Sequence, residues 1–212
     1  TNYHCIDGQV TAVEREVTNS EGWVRKVKIR KYDDVTVGQR HYDGFVQTGQ
    51  STYIAEIVAE AQTKDLAVLK VKGPIPNRYA SPFAPDEHKV VRGQRIYIVG
   101  NPLGEDASLV VGYVSSVNRA FDFPWTAGAR LPMIQMSGGM AGGNSGGALY
   151  NDFGQLIGVP AAGYRQASHI GFAIPLEVIR PFLKENCLMT EDDAACAEEK
   201  KTKAKAKDKD PQ

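Results

Sequence analysis

The run from Gly142 to Tyr150, GGNSGGALY, sets four glycines around a single serine, Ser145, with a hydrophobic segment close on each side. Glycine has no Cβ, so backbone built from Gly143, Gly146 and Gly147 can turn tightly and let another chain come close. A serine presented in this way suits nucleophilic attack, and the N–H groups of Gly143 and Ser145 could both face one oxyanion. The same composition also describes a hairpin turn that merely holds a serine, because glycine clusters mark turns. The rest of the chain has to decide, since a nucleophilic serine needs a base and an acid.

Gly143 to Gly147 satisfies the G-x-S-x-G pattern of the α/β-hydrolase elbow, in which the acid and the histidine follow the serine. One histidine, His169, follows Ser145, 24 residues on and inside a stretch patterned as a strand hairpin, which leaves no room for that arrangement. The opposite order, His, Asp, Ser, fits. His4 lies in TNYHCID and Asp65 opens DLAVLKV. Alone, a histidine near a terminus is a surface residue and an aspartate before a strand is a turn residue. In this order they read as a base and the acid that fixes its tautomer.

Strand patterns cover Gly22 to Tyr32, Tyr53 to Ala59, Leu66 to Val71, Arg95 to Gly100, Ser108 to Val117, Leu131 to Met136, Ala148 to Tyr150, Gln155 to Ala162 and Ile170 to Ile174. Asp33 to Ser51, which holds His41, reads as a long polar loop, and Phe121 to Pro132, with Trp125, as another. Four prolines between Gly73 and His88 mark a linker. Pro175 reads as the first position of a short helix that Pro181 kinks or ends. Short strands with Gly and Pro turns predict an all-β fold of barrels, with a partial first barrel at 1–73, a linker at 74–94, a second barrel with the terminal helix at 95–188, and a disordered charged tail at 189–212.

Charge narrows the partners. Lysine plus arginine and aspartate plus glutamate number 25 each, so no net field points to nucleic acid or to cationic partners. No apolar window is long enough to span a membrane. The histidines at 4, 41, 88 and 169 lack ligand spacing, so neither a metal nor another cofactor is expected.

The stretches TNYHC, TKDLAVLKV, VGNPLG, VGYVSSVNR, IQMSGGMAGGNSGGALYNDFGQLIGV and IGFAIP resemble a trypsin-like serine protease, most of all the bacterial HtrA/Deg branch. The resemblance implies two six-stranded antiparallel barrels, the first incomplete, and a triad with His4 as general base and acid, Asp65 orienting it and Ser145 attacking. It implies an oxyanion hole from Gly143 and Ser145, and a primary specificity pocket with Gly139 and Met140 at its floor and Gly163 and Gly171 on its walls. No carboxylate sits there, so small or medium apolar residues are expected at the cleaved position. His4 and Asp65 stand 61 residues apart, long for the family, and Asp65 and Ser145 80 apart. Two positions depart from the branch: Ser137 stands where an aspartate is usual, and Ala161 where a hydroxyl residue usually lies near the triad acid. The strands that precede the histidine in this fold are expected upstream, and no PDZ domain is expected after the protease unit.

Cys187 and Cys196 are close enough to close a small loop, and Cys5 follows His4 as in animal trypsins, where that cysteine pairs with one further upstream. Three free thiols in a reducing compartment is the alternative. The resemblance to exported proteases implies a periplasmic or secreted setting, with protein or peptide substrates. The rival reading is a protease-fold binding module without activity.

Overall fold

In the computed structural model, residues 1–7, 10–18, 24–32, 35–43, 46–76, 80–104, 108–164, 166–189 and 196 are described. The chain divides into two compact units, Thr1–Ser81 with Phe123–Ala129, and Pro82–Asp122 with Arg130–Gln212. The predicted charged tail at 189–212 lies outside the described residues apart from Met189 and Cys196.

In the first unit, β1 (Val10–Thr18) pairs antiparallel with β2 (Val24–Tyr32). A separate antiparallel sheet joins β3 (Val35–Asp43), β4 (Val46–Ala61) and β5 (Leu66–Val71). The segment 33–51, expected as a loop, is therefore largely a ribbon. None of its described residues is buried, so no inward-facing apolar alternation marks it. Strand geometry comes instead from register, Val35 opposite Ala55 through Asp43 opposite Val46. β5 is legible because Leu66 and Ala67 are buried at its start.

His4 lies in a 3₁₀ turn, Tyr3–Cys5. Tyr3 and Ile6 on that turn are buried with Ala67 of β5, and Ile57 and Leu69 pack against them. The backbone clamps the same seam: the Thr1 amine donates to the Ala67 carbonyl at 3.1 Å and the Ala67 N–H returns a bond to Thr1 at 3.0 Å. Apolar burial thus holds the start of the chain beside the start of β5, next to Asp65.

In the second unit, β6 (Arg95–Gly100), β7 (Ser108–Asp122), β8 (Arg130–Ser137), β9 (Ala148–Tyr150), β10 (Leu156–Tyr164) and β11 (Ala167–Pro175) close into a barrel in the order β6-β7-β8-β11-β10-β9. Alternate residues of β6, Ile96 and Ile98, are fully buried, and they join Val114, Met136, Leu149 and Ile157 in one core. β7 runs on to Asp122, so the predicted 121–132 loop shrinks to a 3₁₀ turn, Pro124–Thr126, and its flanks.

The helix α1 (Leu176–Glu185) forms as predicted in place, but Pro175 is its N-cap and it continues through Pro181. Proline removes one early N–H bond, while Ile179 and Phe182, one turn apart, anchor the same face in the core. After α1, Cys187 is disulfide-bonded to Cys196 with Cα atoms 5.7 Å apart. Among the described residues, no helix is long and apolar enough to cross a membrane.

Candidate active site

The structure brings His4 and Asp65 together. Asp65 follows the 3₁₀ turn Gln62–Lys64 with φ of 50°, a left-handed conformation that turns its side chain away from the run of β5. Its carboxylate is fully buried, whereas the His4 side chain keeps 23% exposure. The His4 backbone N–H donates to Oδ1 at 3.0 Å, and the imidazole Nδ1 lies 3.0 Å from Oδ1 and 2.9 Å from Oδ2. A carboxylate only accepts, so Nδ1 carries the proton and Nε2 of the neutral ring is left with a lone pair. Asn2, itself buried, donates from Nδ2 to the Asp65 carbonyl at 3.0 Å and so holds the strained residue from its backbone side.

Burial of the imidazole pulls its pKa down. The hydrogen bond that Nδ1–H donates to Asp65 opposes this, then a hydrogen bond with the Cys5 thiol and the charge of both groups, and the balance lifts His4 from 6.5 to about 9. Cys5 is an exposed thiol in this structure.

A tryptophan in the segment expected as a loop completes the pair. Trp125 belongs to the first unit, and its indole Nε1–H donates to Asp65 Oδ2 at 2.9 Å. Its rings lie 4.8 Å from the His4 ring, tilted by 45°. No spacing or pattern in the sequence signals this contact, because Trp125 and Asp65 stand 60 residues apart.

In the second unit, Ser145 sits in a loop held on two sides. Asn101 N–H donates to Gly143 O at 3.2 Å, Leu103 N–H to Gly142 O at 2.7 Å, and Gly146 N–H to Pro160 O at 3.0 Å. Asn144 is fully buried and donates from Nδ2 to Gly139 O at 3.2 Å, so the segment before the serine is tied to the serine's own neighbour. Ser145 Oγ donates to the Ala161 carbonyl at 3.1 Å. Gly143 has φ of 101°, and a Cβ there would fall 2.1 Å from the Asn101 carbonyl oxygen, so the loop requires glycine at this point.

Met140, Gly163 and Gly171 also meet. A Cβ on Gly171 would lie 2.2 Å from Met140 Cγ, and one on Gly163 2.9 Å from Met140 Cβ. The Met140 side chain therefore rests on both glycines and is 7% exposed. Gly139 has no atom in the direction of a Cβ within 4 Å. A cavity of about 480 Å³ lies elsewhere in this unit, at the start of α1, lined by Val90, Val117, Met133, Ile134, Ile157 and Leu176 among others, and it includes none of the nucleophile-loop residues.

The trypsin-like peptidase domain matches residues 1–159 of this chain. The chain belongs to that family. Among relatives of the trypsin-like peptidase domain, Protease Do-like 1 of the Arabidopsis thaliana chloroplast is 33% identical over 133 residues, 61% of this chain and 30% of its own length. The serine protease Do-like HtrB of Bacillus subtilis is 33% identical over 139 residues, 63% of this chain and 30% of its own. The chain thus spans about a third of the length of these relatives. A solved HtrA-type protease, determined with a tripeptide, superposes with a TM-score of 0.58 at 24% identity, covering 89% of this chain and 51% of that one, and this likeness establishes the fold.

Proposed function

We propose that this domain hydrolyses peptide bonds through an acyl-enzyme on Ser145, with His4 as general base and acid and Asp65 as its orienting acid. Ser145 Oγ attacks the scissile carbonyl carbon while its proton passes to His4 Nε2. The carbonyl π pair becomes an oxyanion, which the N–H groups of Gly143 and Ser145 receive. Collapse breaks the C–N bond, and the leaving amine takes the proton from His4; water then repeats the sequence on the ester and returns the serine. The observation that carries this reading is the buried Asp65 carboxylate against His4 Nδ1 at 2.9 Å, which supports the Nδ1–H tautomer the base requires.

Substrates follow from the second unit. Met140 lying on Gly163 and Gly171 supports a shallow apolar pocket, so we propose small apolar residues at the cleaved position in exposed segments of proteins or peptides. The Cys187–Cys196 bond supports an oxidising compartment, periplasmic or extracellular.

The experiment is labelling of the intact protein with a fluorophosphonate, wild type beside Ser145→Ala, with the adduct located by mass spectrometry. An adduct on Ser145 that the variant lacks is the expected result. A folded wild type that stays unlabelled overturns the triad and favours a binding module of the same fold.

A further inference from the structure

The geometry points to Trp125 as a positioning residue of the His4–Asp65 pair, its indole N–H serving as the donor that holds the buried carboxylate in register. The inference rests on the proposed roles of His4 and Asp65. It begins from a count of donors. Asp65 is fully buried, and a buried carboxylate needs each oxygen supplied. Oδ1 has the His4 backbone N–H to itself, at 3.0 Å. Oδ2 has the indole N–H at 2.9 Å and otherwise only a share in the single Nδ1 proton, which lies at 2.9 to 3.0 Å from both oxygens. With the His4 backbone N–H on Oδ1, the indole on Oδ2 gives each oxygen a donor of its own, and the two together stop the carboxylate from rotating about its last bond.

The indole is built to stay there. Phe123 stacks on it at 5.1 Å with planes 5° apart. Thr126, fully buried, accepts from the Phe123 N–H at 3.1 Å, and its hydroxyl lies 2.8 Å from the Phe123 carbonyl and 2.9 Å from that of Ala129, closing the 123–129 segment on itself. Ala127 and Gly128 take positive φ, 52° and 78°, to complete the closure. A segment knotted this tightly presents one side chain in one orientation.

The chemistry predicts a signature that packing alone does not. Withdrawing a donor from the carboxylate leaves its charge less neutralised, which favours the imidazolium and moves the acid limb of activity to higher pH. It also loosens the carboxylate that fixes the imidazole, so turnover falls while substrate binding is untouched.

The test compares the intact wild-type protein with Trp125→Phe and with a protein carrying benzothienylalanine at position 125, which replaces only the N–H by sulfur. Degradation of a fluorescent casein and the rate of fluorophosphonate labelling are followed from pH 5 to 10, with Asp65→Asn alongside. We expect both Trp125 replacements to lower kcat by about tenfold, the worth of one hydrogen bond to a charged group, with KM within about twofold and the acid limb displaced upward. Equal kcat and an unmoved pH profile in the benzothienyl protein, while Asp65→Asn is crippled, would overturn the role of Trp125 and leave the pair standing. An active Asp65→Asn would instead remove the pair on which the inference rests. A loss in Trp125→Phe that the benzothienyl protein does not share would show that the ring acts only by packing, which also overturns it.

Discussion

Replacing Gly143 by alanine tests the nucleophile loop at the point where the geometry is least forgiving. A Cβ there would lie 2.1 Å from the Asn101 carbonyl oxygen, 3.0 Å from its carbon and 3.2 Å from Leu103 N. All three are backbone, so no side chain can swing aside. Relief requires the 101–103 turn to move off, and with it the bonds from Asn101 N–H to Gly143 O and from Leu103 N–H to Gly142 O. Two backbone hydrogen bonds at about 1 kcal/mol each, with about 1–3 kcal/mol for an alanine at such a φ, sum to about 3–5 kcal/mol. A domain stable by about 5–15 kcal/mol survives that. The chain stays folded and the loop shifts, taking the Gly143 N–H out of line. Loss of one oxyanion donor lowers kcat by about 10²–10³. Gly142→Ala is the control: no atom lies within 4 Å of its Cβ position, and it should change stability and rate little. Guanidinium unfolding and casein turnover on both variants give the readout. A folded Gly143→Ala with near wild-type kcat, or a Gly142→Ala equally damaged, refutes the placement of this loop.

Three further expectations concern pH and specificity. Because the His4 pKa is raised to about 9 in the folded protein, the neutral base accumulates, and kcat/KM should climb, as pH passes through about 9. The same shift contributes stability that is complete below 6.5 and is lost as pH rises towards and through 9, so denaturant midpoints should fall over that window in wild type and not in His4→Ala. Met140→Ala removes the side chain lying on Gly163 and Gly171 and should shift preference at the cleaved position towards larger apolar residues by about tenfold, at a stability loss of about 2–5 kcal/mol; cleavage of a peptide library read by mass spectrometry decides, and an unchanged profile contradicts the pocket assignment.

Local signals were legible and long-range ones were not. Asp65 opening an apolar run announced β5, because two buried residues directly follow it. The glycines around Ser145 announced a tight loop, because at Gly143 the backbone itself excludes a Cβ. The ribbon of β3 and early β4 was missed since its strands are specified by partners up to twenty residues away (Val35 with Ala55) rather than by burial. Pro181 was read from its own chemistry, and the anchors Ile179 and Phe182 outweighed it. Trp125 stands 60 residues from the carboxylate it serves, and no spacing rule connects an indole in a proline-bearing loop with an acid before a strand.

The membership of Phe123–Ala129 in the first unit has a bearing on how such a protein is made and recombined. At the ribosome, His4 and Asp65 emerge first and can pair, but the indole that completes the carboxylate's shell arrives only after β6 and β7 have been synthesised. Ser145 follows twenty residues later, so the nascent chain acquires its last orienting donor shortly before its nucleophile. For the same reason the two units are not exchangeable parcels. A crossover at the Ser81–Pro82 boundary, where the chain first changes units, would pair Asp65 of one parent with the 123–129 segment of the other, and hybrids joined there should inherit intact barrels and a mismatched acid.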